Sequence, residues 1–281
     1  MPDGVDVTQD QDARASAWEG GAGSTLVLLH GLGGTWHIWK PVLNLLTPFH
    51  RVIALTLPGH PGGPALPFGV EPSVDLLADM LLAELRLRGI ERAHVAGNSL
   101  GGWLALELAR RGFAQSVTAL SPAGGWQTDK DYAAVSRSFR IVFALLPLLI
   151  FLTVLFLRFA GVRRALNKQA MEHGERVPPA DFHQSMNSMR NTRMLPALLT
   201  RMGIEGGIKP MRPAGIPVHI AWGEHDKVIP FETYGRPMLG KIEGSIGCTV
   251  SGVGHVPMYD DPEQVAAVIR QTITKVDALA A

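Results

Sequence analysis

Cysteine is nearly absent from this chain: Cys248 stands alone among 281 residues. One thiol closes no intramolecular disulfide and supplies no cluster with metal-ligand spacing, so a disulfide scaffold and a cysteine-based metal centre are both excluded. An excess of charge is lacking as well. The 26 Lys and Arg nearly balance 25 Asp and Glu, for a formal net charge of +1, and so even a chain lacks the basic bias with which proteins usually meet nucleic acid. No apolar run follows a basic start at the N-terminus, which carries Asp3, Asp6, Asp10 and Asp12 instead, the reverse of a secretory signal. The expectation is a cytoplasmic protein. No internal repeat or low-complexity segment is evident.

Apolar residues, by contrast, are plentiful: 46 % of the chain is hydrophobic and the mean hydropathy is +0.13. A chain of this length accommodates one α/β unit with an insertion. Thr25 to Leu29, Val52 to Leu57, Ala93 to Gly97, Ser116 to Ser121, Val218 to Trp222 and Gly247 to Ser251 are short continuous apolar runs closed by Gly, Pro, Ser or His. That is how strands buried on both faces of a parallel sheet read. Helical patterns lie between them, the clearest running from Ser73, a good N-cap, to Gly89, a good C-terminal stop. Residues 1–20 are polar and Gly-rich and read as a flexible tail. The alternation breaks over residues 125–210, where no strand-like run appears, so this stretch reads as a helical insertion between two strands.

Gly97-Asn98-Ser99-Leu100-Gly101 follows a strand and precedes a helical stretch, the context of a Gly-x-Ser-x-Gly nucleophile elbow. Alone, so short a pattern also fits a Gly/Ser-rich turn with no chemistry. Two further segments bear on the choice. Trp222-Gly223-Glu224-His225-Asp226 sets Asp226 at the C-terminal end of a strand, with Glu224 and His225 as local rivals. Gly252-Val253-Gly254-His255 sets an imidazole after the next strand, where an ordinary exposed loop histidine is the alternative. Ser99, Asp226 and His255 would all lie at strand C-termini, where open α/β sheets bind ligands, and their chain order resembles that of the α/β-hydrolase triad.

With His30-Gly31-Leu32-Gly33-Gly34 near the start and Pro262 before the final helix, the sequence resembles the α/β-hydrolase family over nearly its whole length. The resemblance implies a mostly parallel sheet flanked by helices, with a core of residues 21–124 and 211–281 and a helical cap at 125–210. It also implies that backbone N–H groups of Leu32 and Leu100 form an oxyanion hole. In the mechanism so implied, His255 takes the Ser99 proton, Asp226 orients the imidazole, and water hydrolyses an acyl-enzyme without metal or organic cofactor. A serine at the elbow favours a small-molecule ester or lipid-like substrate, since related epoxide hydrolases and dehalogenases use aspartate there. Asn98 resembles the elbow of carbon–carbon bond hydrolases acting on aromatic ring-fission products, which keeps that reading open. Those enzymes also need a cap arginine, for which Arg190 and Arg193 are available, although Val256 stands where tryptophan often follows the catalytic histidine. Asn98, Trp36, Arg190 and Val256 are the candidate substrate contacts. A ligand receptor or signalling partner on the same fold is the third alternative.

Residues 141–157 carry no charge and, as a helix, would reach roughly 25 Å, close to a bilayer core. One crossing there would put Ser99 and His255 on opposite sides of a membrane, which argues against a span. Pro147 suggests a kink or two shorter helices. A buried or pocket-lining cap helix is the first expectation and a lid touching lipid the second. Arg137, Arg140, Arg158, Arg163, Arg164 and Lys168 surround this stretch with no acidic residue between Tyr132 and Met171. Such a flank suits an anionic lipid surface and equally suits solvated arginines rimming a cap. Six of the ten methionines fall between Met171 and Met211, a soft lining for acyl groups or ordinary helix packing.

Overall fold

The apolar runs become the strands of one sheet because each can bury both of its faces. The computed structural model describes residues 16–213 and 215–280. Its strands are β1 (Ala17–Gly20), β2 (Ser24–Leu29), β3 (His50–Leu55), β4 (Ala93–Asn98), β5 (Ala114–Leu120), β6 (Val218–Gly223) and β7 (Ile246–Val250), in the order β1-β3-β2-β4-β5-β6-β7. All pairs are parallel except β1 with β3. The period of two is visible in the packing. Val27, Leu29, Ile53 and Leu55 enter one apolar layer, while Leu26, Leu28, Val52 and Ala54 enter the other.

Helices cover both layers. On the first lie α2 (Val74–Leu87) and α3 (Leu100–Arg110); on the second lie α1 (Lys40–Leu46) and, at the far end of the chain, α9 (Pro262–Ala280). Ser73 caps α2 by accepting a 3.0 Å hydrogen bond from Leu76 N, and Gly89 follows the helix at φ +73°, where a side chain would be strained. Between β5 and β6 run α4 (Asp129–Phe156), α5 (Ala160–Asn167), α6 (Pro179–Asn191) and α7 (Leu195–Glu205). The short α8 (Arg236–Lys241) precedes β7.

Four expectations are corrected. Residues 17–20 do not belong to a tail: they form edge strand β1, with Trp18 buried at 4 % exposure, and the rest of the proposed tail up to residue 15 lies outside the described residues. A four-residue strand ending in glycine carries too little pattern to stand out. β7 is not buried on both faces, because it closes the sheet as an edge and leaves Ile246 exposed. Pro147 does not divide the apolar stretch, since α4 runs through it. That helix is not chiefly buried either: from residue 141 to 151 only Leu146 and Ile150 are buried.

The strand order places the chemistry. The chain leaves β2 toward β3 on one side and returns to β4 on the other, with Leu29 paired to Gly97. The loops leaving β2 and β4 therefore diverge at the crevice where open parallel sheets bind ligands.

Candidate active site

Ser99 is held in a conformation L-residues avoid, φ 56° and ψ −117°, between the end of β4 and the start of α3. Such strain costs about 1–3 kcal/mol and persists only where the surroundings enforce it. They do so by contact. A Cβ on Gly97 would lie 2.1 Å from Gly101 O, and one on Gly101 would lie 2.1 Å from Leu29 O, so both flanking glycines are sterically required. Ser99 N donates to Leu120 O at 3.0 Å, and Ser99 O accepts from Trp103 N and Ala123 N.

Asp226 and His255 meet at the same edge of the sheet. His255 Nδ1 lies 2.8 Å from Asp226 Oδ2, and the carboxylate side chain is wholly buried. The other carboxylate oxygen, Oδ1, accepts from Val228 N and Ile229 N, both at 2.9 Å. Charge-assisted bonds of this kind fix the carboxylate, so Nδ1 carries the proton and Nε2 is left as the base. The local rivals are engaged elsewhere: Glu224 accepts from Gly252 N, and His225 faces Glu172 at 3.9 Å. Neither Ser99 Oγ nor His255 Nε2 hydrogen-bonds to another group among the described residues, which leaves both free for a substrate.

Leu100 N opens α3, where helix geometry provides no intrahelical acceptor, and Leu32 N sits in the turn closed by Gly34 N to Gly31 O at 3.1 Å. Two imidazoles behind this turn escaped the sequence reading as functional groups. His60 Nε2 accepts from Gly33 N at 3.0 Å and His30 Nε2 accepts from Leu57 N at 2.9 Å, while their Nδ1 atoms face Pro58 O and Gly31 O. Each ring must be neutral, with its proton on Nδ1, to fill both roles. Burial enforces this, lowering His30 well below the ordinary histidine value and His60 to about 4. The signal was the histidine in Leu57-Pro58-Gly59-His60, visible as a turn but silent about what it braces.

The candidate substrate contacts fare differently. Asn98 is buried, and its Nδ2 donates to Leu120 O at 3.1 Å and to His255 O at 2.8 Å. It anchors the His255 loop. Trp36 packs into the apolar layer beneath α1 and α9 and stacks on His37, with no acceptor for its Nε1 among the described residues. Arg190 and Arg193 are exposed, so the structure does not bring either guanidinium into the buried site. Val256 is half-buried against Leu157, Met171 and Phe182, and its N–H donates to Ala170 O.

Asp260 was missed altogether. This buried carboxylate accepts from Gly254 N at 2.8 Å, Glu172 N at 3.0 Å and His173 N at 2.7 Å, tying the loop that carries His255 to the segment after α5. Helix α6 reaches the other loop. Ser188 Oγ donates to Gly34 O, Met189 lies against Gly33, and Asp181 accepts from Lys40 Nζ and Tyr259 OH. Among the described residues no group of three or more His, Cys, Asp or Glu side chains is gathered as a metal site would require.

A strained serine, a histidine on a buried carboxylate and two unclaimed N–H groups can perform acyl transfer. A family profile described as the Alpha/beta hydrolase family matches residues 26–268, most of the chain. The chain belongs to that family. It is a hydrolase with a small-molecule substrate. Among curated relatives it is 30 % identical over 206 residues to the protein named epoxide hydrolase EphH of Mycobacterium tuberculosis, covering 70 % of this chain and 94 % of that one. A thermophilic esterase from Thermogutta terrifontis superposes with a TM-score of 0.71 at 20 % identity, covering 92 % of this chain and 93 % of its own. The enol-lactonase from Burkholderia xenovorans superposes with a TM-score of 0.67 at 16 % identity, covering 92 % and 95 %. At such identities the two structures bear on the fold alone.

Proposed function

We propose that this hydrolase cleaves carboxylic esters of apolar or lipid-like acyl groups through Ser99, His255 and Asp226. The observation that carries the reading is the 2.8 Å pairing of His255 Nδ1 with the buried Asp226 carboxylate, one residue's contact away from the strained Ser99. His255 Nε2 takes the Ser99 proton as Oγ attacks the ester carbonyl. Leu32 N and Leu100 N donate to the oxyanion. The imidazolium then protonates the leaving alcohol, and a water activated by the same Nε2 releases the acid. The helices of residues 125–210 serve as a cap over this site.

The epoxide hydrolase relative favours a second reading, and the chemistry of the nucleophile weighs against it. A serine that opened an epoxide would become an alkyl ether with no carbonyl for water to attack, so the enzyme would be trapped after one event. Carbon–carbon bond hydrolysis loses support because the Asn98 amide is committed to backbone and Arg190 is exposed.

The test is a panel of p-nitrophenyl esters of rising chain length, a ring-fission dienoate and an aryl epoxide, each with the wild type and Ser99→Ala. Multiple turnovers on esters, a kcat lower by about five to six orders of magnitude in Ser99→Ala, and labelling of Ser99 by a phosphonate are expected. Turnover of the dienoate or epoxide with inert esters would overturn the substrate class; near-normal ester turnover by Ser99→Ala would overturn the site. Slow single turnover with tight retention of ligand would identify a receptor.

A further inference from the structure

We infer that α4 docks this hydrolase onto an anionic membrane surface, lying in the plane of the interface. Helix α4 is apolar on all sides but packed on only one. Val135, Leu146 and Ile150 are buried, whereas an 18-residue window of Asp129–Phe151 with hydropathy 1.8 is only 22 % buried. At 100° per residue, Ile141, Leu145, Leu148 and Phe156 project within about 80° of one another, centred about 130° round the helix from the packed side. Leu148 is 55 % exposed and Phe151 68 %. Among the described residues, more than half of the exposed large apolar side chains lie between Ile141 and Phe159. A soluble surface rarely leaves so contiguous an apolar strip uncovered.

Charge selects the occupant. Arg137, Arg140 and Arg158 follow one edge of the strip and are exposed, and among the described residues none of them is in an ion pair. A groove of about 560 Å³ along that edge is lined by Tyr132, Ser136, Arg137, Arg140, Ile141 and Ala144, which pairs two guanidinium groups with an apolar floor. The acidic groups of the helix are confined to its first turn, at Asp129 and Asp131. Apolar residues on one face with arginines at its margin match the acyl and phosphate layers of an anionic lipid surface. A second copy of the chain fits less well. Antiparallel pairing of two α4 strips would set Arg137 and Arg140 of each against residues 141–157 of the other, which carry no carboxylate.

A transmembrane passage is not implied. Asn98 on β4, before α4 in the chain, holds His255 O after it, and α4 packs against α6 and α7, so both halves form one body on one side of the helix. Docking by α4 would bring α6, which lies against the Gly33 turn, close to the lipid surface. That inference stands apart from the ester reading, because it is measured by binding and not by turnover.

The experiment is co-sedimentation of the full-length protein with vesicles of phosphatidylcholine alone and with 30 mol % phosphatidylglycerol (about 30 %, an anionic fraction chosen to give a strong surface potential), at low and high salt. Binding to the anionic vesicles, weakened by salt and lowered at least tenfold by Leu148→Glu/Phe151→Glu and by Arg137→Glu/Arg140→Glu, is expected. Turnover of a short soluble ester by those variants should match the wild type, which shows that they fold. Absence of binding to anionic vesicles, or equal binding by the variants, would overturn the inference. Self-association of the wild type that Phe151→Glu abolishes, without vesicle binding, would assign the strip to a second copy instead. Loss of ester turnover in the wild type with vesicle binding intact would strike the proposed function and leave the docking surface standing.

Discussion

Asn98→Ala separates an anchor from a substrate contact. The Asn98 amide is buried and donates to two carbonyls, Leu120 O at 3.1 Å and His255 O at 2.8 Å. The two losses are unequal. Leu120 O keeps its bond from Ser99 N, so there the cost is that of one ordinary hydrogen bond, about 0.5–1 kcal/mol. His255 O loses its only protein donor among the described residues and becomes a buried, unsatisfied carbonyl, which costs about 1–3 kcal/mol. The total is about 1.5–4 kcal/mol. In a chain of this size that lowers Tm by roughly 3–8 °C, taking about 2 °C per kcal/mol.

The kinetic effect follows from the same carbonyl. Freed from Asn98, the backbone of His255 can shift relative to Ser99, and misplacement by about 1 Å costs roughly 100-fold in rate. Urea unfolding and ester kinetics on the same protein read both consequences. The expected outcome is a loss of stability in the stated range with kcat reduced about 10- to 100-fold and KM nearly unchanged. A variant within about 0.5 kcal/mol of the wild type whose KM rises at constant kcat would refute the anchor and return Asn98 to the substrate.

Three further outcomes are expected. Ser99→Gly should be more stable than Ser99→Ala by about 1 kcal/mol, because glycine relieves the positive φ and the alanine keeps it, less the larger entropy glycine loses on folding; equal denaturation midpoints would show that the elbow is unstrained. Because the fold holds His60 neutral down to about pH 4, the unfolded chain takes up this proton first as pH falls. Stability from this group is thus complete above pH 6.5 and lost between there and about pH 4, by about 3 kcal/mol, with His30 and His37 acting in the same direction. Urea melts across that range should slope accordingly and become shallower in His60→Gln; a flat wild-type profile would contradict the buried neutral ring. Asp260→Asn replaces an acceptor of backbone N–H bonds by a donor and should cost about 2–3 kcal/mol and reduce kcat more than it raises KM; unchanged stability would mean the carboxylate is dispensable to the loop.

The parts of the fold legible in the sequence were those written in a local pattern. Double-sided burial makes β2 through β6 continuous apolar runs, and the Gly97 and Gly101 spacing follows from a turn with no room for Cβ atoms. Edge elements were harder, because β1 is four residues long and β7 buries so little that its pattern dissolves. Asn98 is hard to read for a different reason. Its residue type is visible, but which way the amide turns depends on the neighbouring β5 and the distant His255 loop, and no local spacing encodes that. Trp36 and Asp260 are the same case, one an aromatic absorbed into the core and the other a carboxylate whose partners lie some 90 residues earlier in the chain. For α4 the usual inference from composition to burial fails outright, since an apolar helix left open on most of its circumference answers to a surface the isolated chain does not supply.

The braces around His255 come from two sources, and this couples the site to the helices above it. From the sheet, Asn98 holds the His255 carbonyl, and Gly223 allows the loop to approach so closely that a Cβ there would lie 2.2 Å from Gly254 O. From the helical segment, Ala170 O accepts from Val256 N, and Asp260 clamps Gly254 N to the N–H groups of Glu172 and His173. The residues on either side of the imidazole are therefore bonded to residues 170–173. A displacement of that stretch pulls directly on the base, whereas α4 is held by α6, by α7 and by Tyr234 OH, which donates to Asp131 O. The molecule can thus present its exposed apolar helix to a surface while the segment that positions His255 stays fixed. That division assigns adaptability to α4 and rigidity to the loop from Gly252 to Asp260.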